Sequence, residues 1–94
     1  MKLELSDALK LKYGKIVPRN LIFDVPDSWY IIIDSLLESI VNYIRTVNPQ
    51  VKLQISEVKA KFGRLRISYG FKDIQDMRID GMIRAISDLS EKIK

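Results

Sequence analysis

The sequence predicts a single α+β domain over residues 1–94, and three observations carry that reading. Apolar residues recur at steps of three and four over about Trp29–Thr46 and again over about Ile74–Ile93, the spacing of a helix with one buried face. Between them, over Val51–Phe71, apolar and polar residues alternate on either side of Gly63, the spacing of a half-buried hairpin. A chain of 94 residues buries only roughly 60–65% of its unfolded surface, so these faces must share one core.

The first element is a short helix opened by Ser6, whose hydroxyl suits the free amides of a first turn, and closed near Gly14. Lys15–Pro26 has no helical period, and Pro18 and Pro26 bias their predecessors towards extended backbone, so this stretch reads as an irregular arm. Asp27 or Ser28 caps the long helix. Its stripe is Trp29, Ile33, Leu36, Ile40, Ile44 and Val47, widened by Ile32, Leu37 and Val41, with Asp34, Glu38, Asn42 and Arg45 opposite. Asn48-Pro49 ends it.

Two patterns compete over Val51–Phe62. Val51, Leu53 and Ile55 alternate as in a strand, while Val51, Ile55, Val58 and Phe62 also fit a helical stripe. The strand is preferred because Arg64–Phe71, with Leu65, Ile67, Tyr69 and Phe71 facing one way, needs a hydrogen-bonding neighbour. Gly63 then supplies a left-handed turn position, and the shift of apolar parity between Ile55 and Val58 predicts a bulge near Ser56 and Glu57. Asp73 caps the last helix, which buries Ile79, Met82, Ile86, Leu89 and Ile93; Gly81 inside it suggests close packing against another backbone.

Composition excludes several function classes. With no Cys and no His, the chain lacks a thiolate nucleophile, a disulfide framework, and the commonest general base and metal ligand. No glycine loop suited to phosphates is present, so no enzyme activity, cofactor or metal is expected. Asp24, Asp27 and Asp34, like Asp73, Asp76 and Asp80, read as caps and a solvated helix face. No stretch is apolar over the roughly 20 residues a bilayer span requires, and MKLELSDALK has acids where a signal peptide is apolar, which predicts no membrane partner and a cytoplasmic location.

Charge is unevenly spread. Residues 51–72 carry six Lys or Arg against one acid, whereas residues 24–50 carry one against four. Lys52, Lys59, Lys61, Arg64, Arg66 and Lys72 are therefore the candidate binding residues, either following a nucleic-acid backbone or simply occupying the wet face of a hairpin. Tyr69 and Phe71 share the parity of Leu65 and Ile67, which places them in the core. Phe23, Trp29 and Tyr30 form a second candidate interface if they are exposed. A small anionic ligand such as a nucleotide fits a third reading, where Arg64 and Arg66 meet a helix start. The wide stripe of the long helix also allows a second copy of the chain as partner.

Four stretches taken together carry a resemblance: Leu11-Lys12-Tyr13; Trp29 with Ile33-Asp34-Ser35-Leu36 and Ile40; Val58 to Ile67, which contains Lys61-Phe62-Gly63-Arg64-Leu65-Arg66; and Ile79-Asp80-Gly81-Met82-Ile83. In this order they resemble a family of small phage and prophage proteins without assigned activity, marked by Trp-x-x-x-Ile-Asp-x-Leu and Val-Lys-Glu-Lys-Phe-Gly-x-Leu-Arg. Gly14 stands where that family favours proline and Ala60 where it favours glutamate. Many of its members carry a cysteine-rich, metal-binding-like tail, and a chain without cysteine cannot inherit that role. The resemblance implies a phage or prophage origin; taken with the small size and the absence of catalytic residues, the expectation is a non-enzymatic accessory protein that binds and modulates a host protein, a defence component among the candidates, with nucleic acid bound by the basic 52–72 hairpin as the alternative.

Overall fold

The computed structural model describes residues 1–93 and arranges them as α1 (Leu3–Lys12), β1 (Phe23–Asp24), a 3₁₀ turn (Asp27–Trp29), α2 (Tyr30–Thr46), β2 (Leu53–Lys61), β3 (Arg64–Phe71) and α3 (Met77–Ser90). The α+β class and the strand reading of the fifties both hold. No helix among the described residues is long and apolar enough to cross a membrane.

The hairpin register pairs Leu53 with Phe71, Ile55 with Tyr69, Val58 with Ile67 and Ala60 with Leu65. Directly paired residues point to the same face, so the apolar set looks towards the helices. The register shifts between Ile55 and Glu57, where the parity of the sequence demanded a bulge. There Ser56 Oγ donates to the Ser68 carbonyl at 3.1 Å.

Both edges of the hairpin are covered. On the β2 side, Phe23 and Asp24 pair in parallel with Val58 and Lys59, and the Ile55 amide donates to the Ile16 carbonyl at 3.0 Å. On the β3 side, α3 lies against the strand: the Leu65 amide donates to Ser90 Oγ at 2.8 Å, and Ser87 Oγ donates to the Leu65 carbonyl at 2.6 Å. Two serines thus do for Leu65 what a fourth strand would do, and they block edge pairing at that residue.

Ile33, Leu36, Leu37 and Ile40 of α2 sit in the core with Leu53, Ile55, Val58 and Leu65 of the sheet and Ile79 and Ile83 of α3. Helices α2 and α3 run antiparallel and are tied at both ends. Trp29 Nε1 donates to the Ile93 carbonyl at 2.9 Å, while at the other end Tyr43 Oη and Asn48 Nδ2 donate to Asp76 Oδ2 at 2.7 and 3.1 Å. Helix α1 lies beside the first half of α2, with the Tyr13 hydroxyl donating to Asp34 Oδ1 at 2.5 Å and Lys12 Nζ 3.4 Å from the same oxygen. Burial first, then the Asp34 hydrogen bond, raises the Tyr13 phenol above its ordinary range.

Several local expectations are corrected. Ser6 is buried inside α1, which begins at Leu3 without a side-chain cap, where the Met1 ammonium donates to the Val25 carbonyl at 2.7 Å and the Lys2 amide to Asp27, fixing the helix start three residues earlier. Asp27 opens a 3₁₀ turn ahead of α2, but its carboxylate accepts from the Lys2 amide at 2.8 Å and so ties the chain start to the α2 start. The arm Lys15–Pro26 is structural, since Ile16, Val17, Leu21, Phe23 and Val25 are all buried and two of its residues form β1. Asp76, three residues after Asp73, caps α3 by accepting from the Arg78 and Ile79 amides at 2.8 and 3.2 Å. A Cβ on Gly81 would meet nothing within 4 Å, so that glycine does not mark a close helix crossing.

Burial pushes the Asp76 carboxyl up, but hydrogen bonds from Tyr43, Asn48 and two backbone amides outweigh it and hold the group below its ordinary 3.8. A depressed carboxyl contributes stability above its unfolded value and loses it as pH falls through the folded one. Denaturant titrations between pH 7 and 2 should show this acid-side loss, and Asp76→Asn should flatten it. Asp76→Ala should cost about 1–2 kcal/mol at pH 7 from the lost cap alone.

Candidate functional site

The sheet has one dry and one wet face, and the pairing register decides which cations share the wet one. Lys59 stands opposite Arg66 and Lys61 opposite Arg64, on the face away from the core. Beyond the formal ladder, the Lys72 amide donates to the Lys52 carbonyl at 3.0 Å, and strand alternation brings these two lysines to the same face as Gln54 and Gly70. All six basic candidates therefore belong to one side of the hairpin, in three cross-strand pairs.

Like charges directly opposite each other destabilise a sheet, typically by a few tenths to about 1 kcal/mol per pair. Two of the three pairs are relieved locally. Lys59 Nζ lies 3.4 Å from Glu57, and Asp24, the β1 neighbour of Lys59 in the parallel register, adds a second carboxylate on that face. Arg64 turns away over the β3 edge to the C-terminal turn of α3, where it hydrogen-bonds Ser87, pairs with Asp88, and reaches Glu91 at 3.3 Å. No basic residue occupies the last turn of α3, so Arg64 supplies the positive charge that a helix C-terminus favours. The Arg64 guanidinium thus sits at a helix end and not at a helix start, which corrects the anion site expected there. Lys52, Lys61, Arg66 and Lys72 have no acidic partner within 4 Å among the described residues.

The two ends of the hairpin differ in character. At the tip, Phe62 and Gly63 form a two-residue turn with φ of +56° and +74°. A positive φ at both positions is what a type I′ turn requires, and Asn-Gly or Asp-Gly is the usual solution. Here a phenylalanine occupies the first position, 95% exposed, with the Lys61 ammonium 5.7 Å from its ring centre. At the open end, Tyr69 and Phe71 lie on the core side, half-buried and edge-to-face with ring centres 5.8 Å apart. Burial and a hydrogen bond to Asp80 push the Tyr69 phenol up to about 12.

Phe23 and Trp29, two of the three aromatic residues considered as an interface, are buried in the core, and Tyr30 is half-buried against it. The stripe of α2 is covered by the chain itself from Trp29 to Ile40, leaving Val47 exposed at its end. Among the described residues no three Asp or Glu side chains come together as a metal site. Phe62 escaped the sequence reading because its spacing from Val58 fits a buried stripe; the two-residue gap between the Lys61 and Arg64 strand ends was the signal that places it in the turn.

No family model matches the chain, nor does any curated protein or solved structure.

Ser90 is fully buried and satisfies the Leu65 amide, so Ser90→Ala should leave a buried donor unpaired and cost about 1–3 kcal/mol in chemical denaturation. Arg64→Met should cost less, about 0.5–1 kcal/mol, since its ion pairs are half-exposed and screened by salt.

Proposed function

We infer that this chain is a non-enzymatic binding protein that docks the tip of its hairpin into a partner protein. The observation that supports this is Phe62. An L-residue in the left-handed region costs on the order of 1 kcal/mol, and a phenylalanine there can use neither the local hydrogen bond of asparagine nor the freedom of glycine. Its ring is offered almost entirely to water, and within the fold the exposed Lys61 ammonium offsets only part of that cost, by about 0.5 kcal/mol. Burying such a side chain in a partner's pocket returns about 1.5–3 kcal/mol, and aromatic residues dominate interface hot spots.

The surroundings suit an anchor. The turn is short, its flanking residues Lys61 and Arg64 pair across the strands, and Arg64 braces the β3 side of the tip against α3. Holding a side chain rigid before binding lowers the entropy lost on association. Lys61 and Arg66, free of acidic partners among the described residues, favour an acidic rim around the partner's pocket. The resemblance to small phage and prophage proteins suggests the setting, in which the partner is a host protein and binding modulates it. Nucleic acid is the less favoured partner, because Asp24 and Glu57 stand beside Lys59 on the wet face.

Phe62→Asn separates this role from folding. Asparagine tolerates a positive φ, so the variant should be as stable as the parent or more stable by about 0.5–1 kcal/mol. In parallel affinity purifications from bacterial lysate, a stoichiometric protein recovered with the parent should vanish with Phe62→Asn. Retention of that protein by the variant, or recovery of nucleic acid in its place, would refute the docking role.

A further inference from the structure

At the end of the hairpin opposite Phe62, a cleft of about 860 Å³ opens between the arm, the end of α2 and the strands, within the size range of small-ligand sites. Lys15, Lys52 and Lys72 line it, no acidic residue does, and none of the three lysines has a carboxylate within 4 Å among the described residues. Lys52 and Lys72 are the one cross-strand cation pair that no acid relieves. Like charges directly opposite each other on a sheet repel, and here no acid offsets that repulsion, an arrangement suited to an anion that neutralises both.

Gly70 points independently to the same place. It lies in the middle of the β3 wall of the cleft, opposite Gln54, and its φ is not positive. A Cβ there would meet no atom within 4 Å, so neither backbone shape nor packing in the free protein calls for glycine. Glycine within a strand weakens it and often marks a backbone that something approaches closely. Beside it on the same face, the Gln54 amide offers both a donor and an acceptor.

We propose that this cleft is a binding site for a nucleotide, with the planar base laid over the Gly70 backbone beside Gln54 and the phosphate held by Lys52 and Lys72, with Lys15 at the rim. The three features correspond to the three parts of such a molecule: a flat approach surface, a two-way hydrogen-bonding amide and a pair of cations. The site stands apart from the hairpin tip and does not depend on the docking role of Phe62.

Amide NMR titrations with ATP, AMP, adenosine and inorganic phosphate test it. ATP or AMP should produce saturable shifts centred on Lys52, Gln54, Gly70 and Lys72, with adenosine and phosphate alone each at least about tenfold weaker. Gly70→Val should abolish binding without lowering the melting temperature, because the strand gains a β-branched residue in open space. Lys52→Gln with Lys72→Gln should weaken binding by about tenfold or more, at an unchanged or higher melting temperature. Lys59→Gln with Arg66→Gln should leave affinity unchanged. The assignment falls if no nucleotide gives a saturable shift, if phosphate alone binds as well as ATP, if Gly70→Val binds normally, or if only an oligonucleotide binds.

Discussion

One carboxylate joins the parts of this domain that the sequence keeps far apart. Asp76 accepts four hydrogen bonds, from the Tyr43 hydroxyl at the end of α2, the Asn48 amide in the following loop, and the first amides of α3. It therefore starts one helix and holds the end of another at the same point. With the Trp29–Ile93 hydrogen bond at the opposite end, the two helices are fixed in register along their length. That register presents Ser87 and Ser90 to Leu65 and so closes the β3 edge at that residue. A buried polar group this well satisfied stabilises little beyond its apolar equivalent, but it specifies a single arrangement, since any slip of α3 leaves several donors unpaired.

What the sequence disclosed follows from how local each constraint is. Helix stripes and strand alternation depend on neighbours within a few residues, so α2, α3 and the hairpin were legible, as was the bulge, because only one extra residue reconciles Ile55 and Val58 on one face; the buried side of α3 was not, since it turns Ile83 inward with Ile79 and leaves Leu89 exposed. The arm was not. Phe23 and Asp24 become a strand only because β2 offers them a parallel edge more than thirty residues away, and two residues carry no periodicity of their own. Caps failed for a related reason. Asp73 has a side chain able to cap α3, but tertiary contacts chose Asp76, whose remaining oxygen also serves Tyr43 and Asn48, while α1 and α2 start without a side-chain cap at all. The six basic residues were picked out by their density in the sequence, and the strand register brings them to one side of the hairpin, yet neither could say that Arg64 would leave it for the acids of α3.

That departure changes how the positive charge works. Summed along the chain, residues 51–72 look like one basic stripe. In space, the stripe is interrupted by Glu57 and Asp24 around Lys59 and loses Arg64 to the α3 end, leaving cations in two places: Lys61 and Arg66 near the tip, Lys52 and Lys72 at the open end. A continuous stripe suits a polymer of phosphates, which gains from every contact along its length. Two separated clusters, each next to a distinct apolar feature, suit discrete ligands instead. The tip offers an exposed ring and the open end offers a cleft.

Phe62 and Gly70 make the same point from opposite directions. Each violates a local rule of the strand or turn that holds it: a bulky residue where the backbone favours asparagine or glycine, and a glycine where the backbone favours a β-branched residue. Exchanging their characters would give a more stable hairpin at both ends. Sequences consistent at every level lead to well-defined folds, and natural chains depart from that consistency mainly where binding or catalysis demands it. The two departures lie at the two extremes of one hairpin whose middle obeys the rules, with Val58 paired to Ile67 in the core and both edges covered. A rigid centre with a strained end and a weakened end is the arrangement expected of a scaffold that carries two binding features and keeps them from disturbing each other.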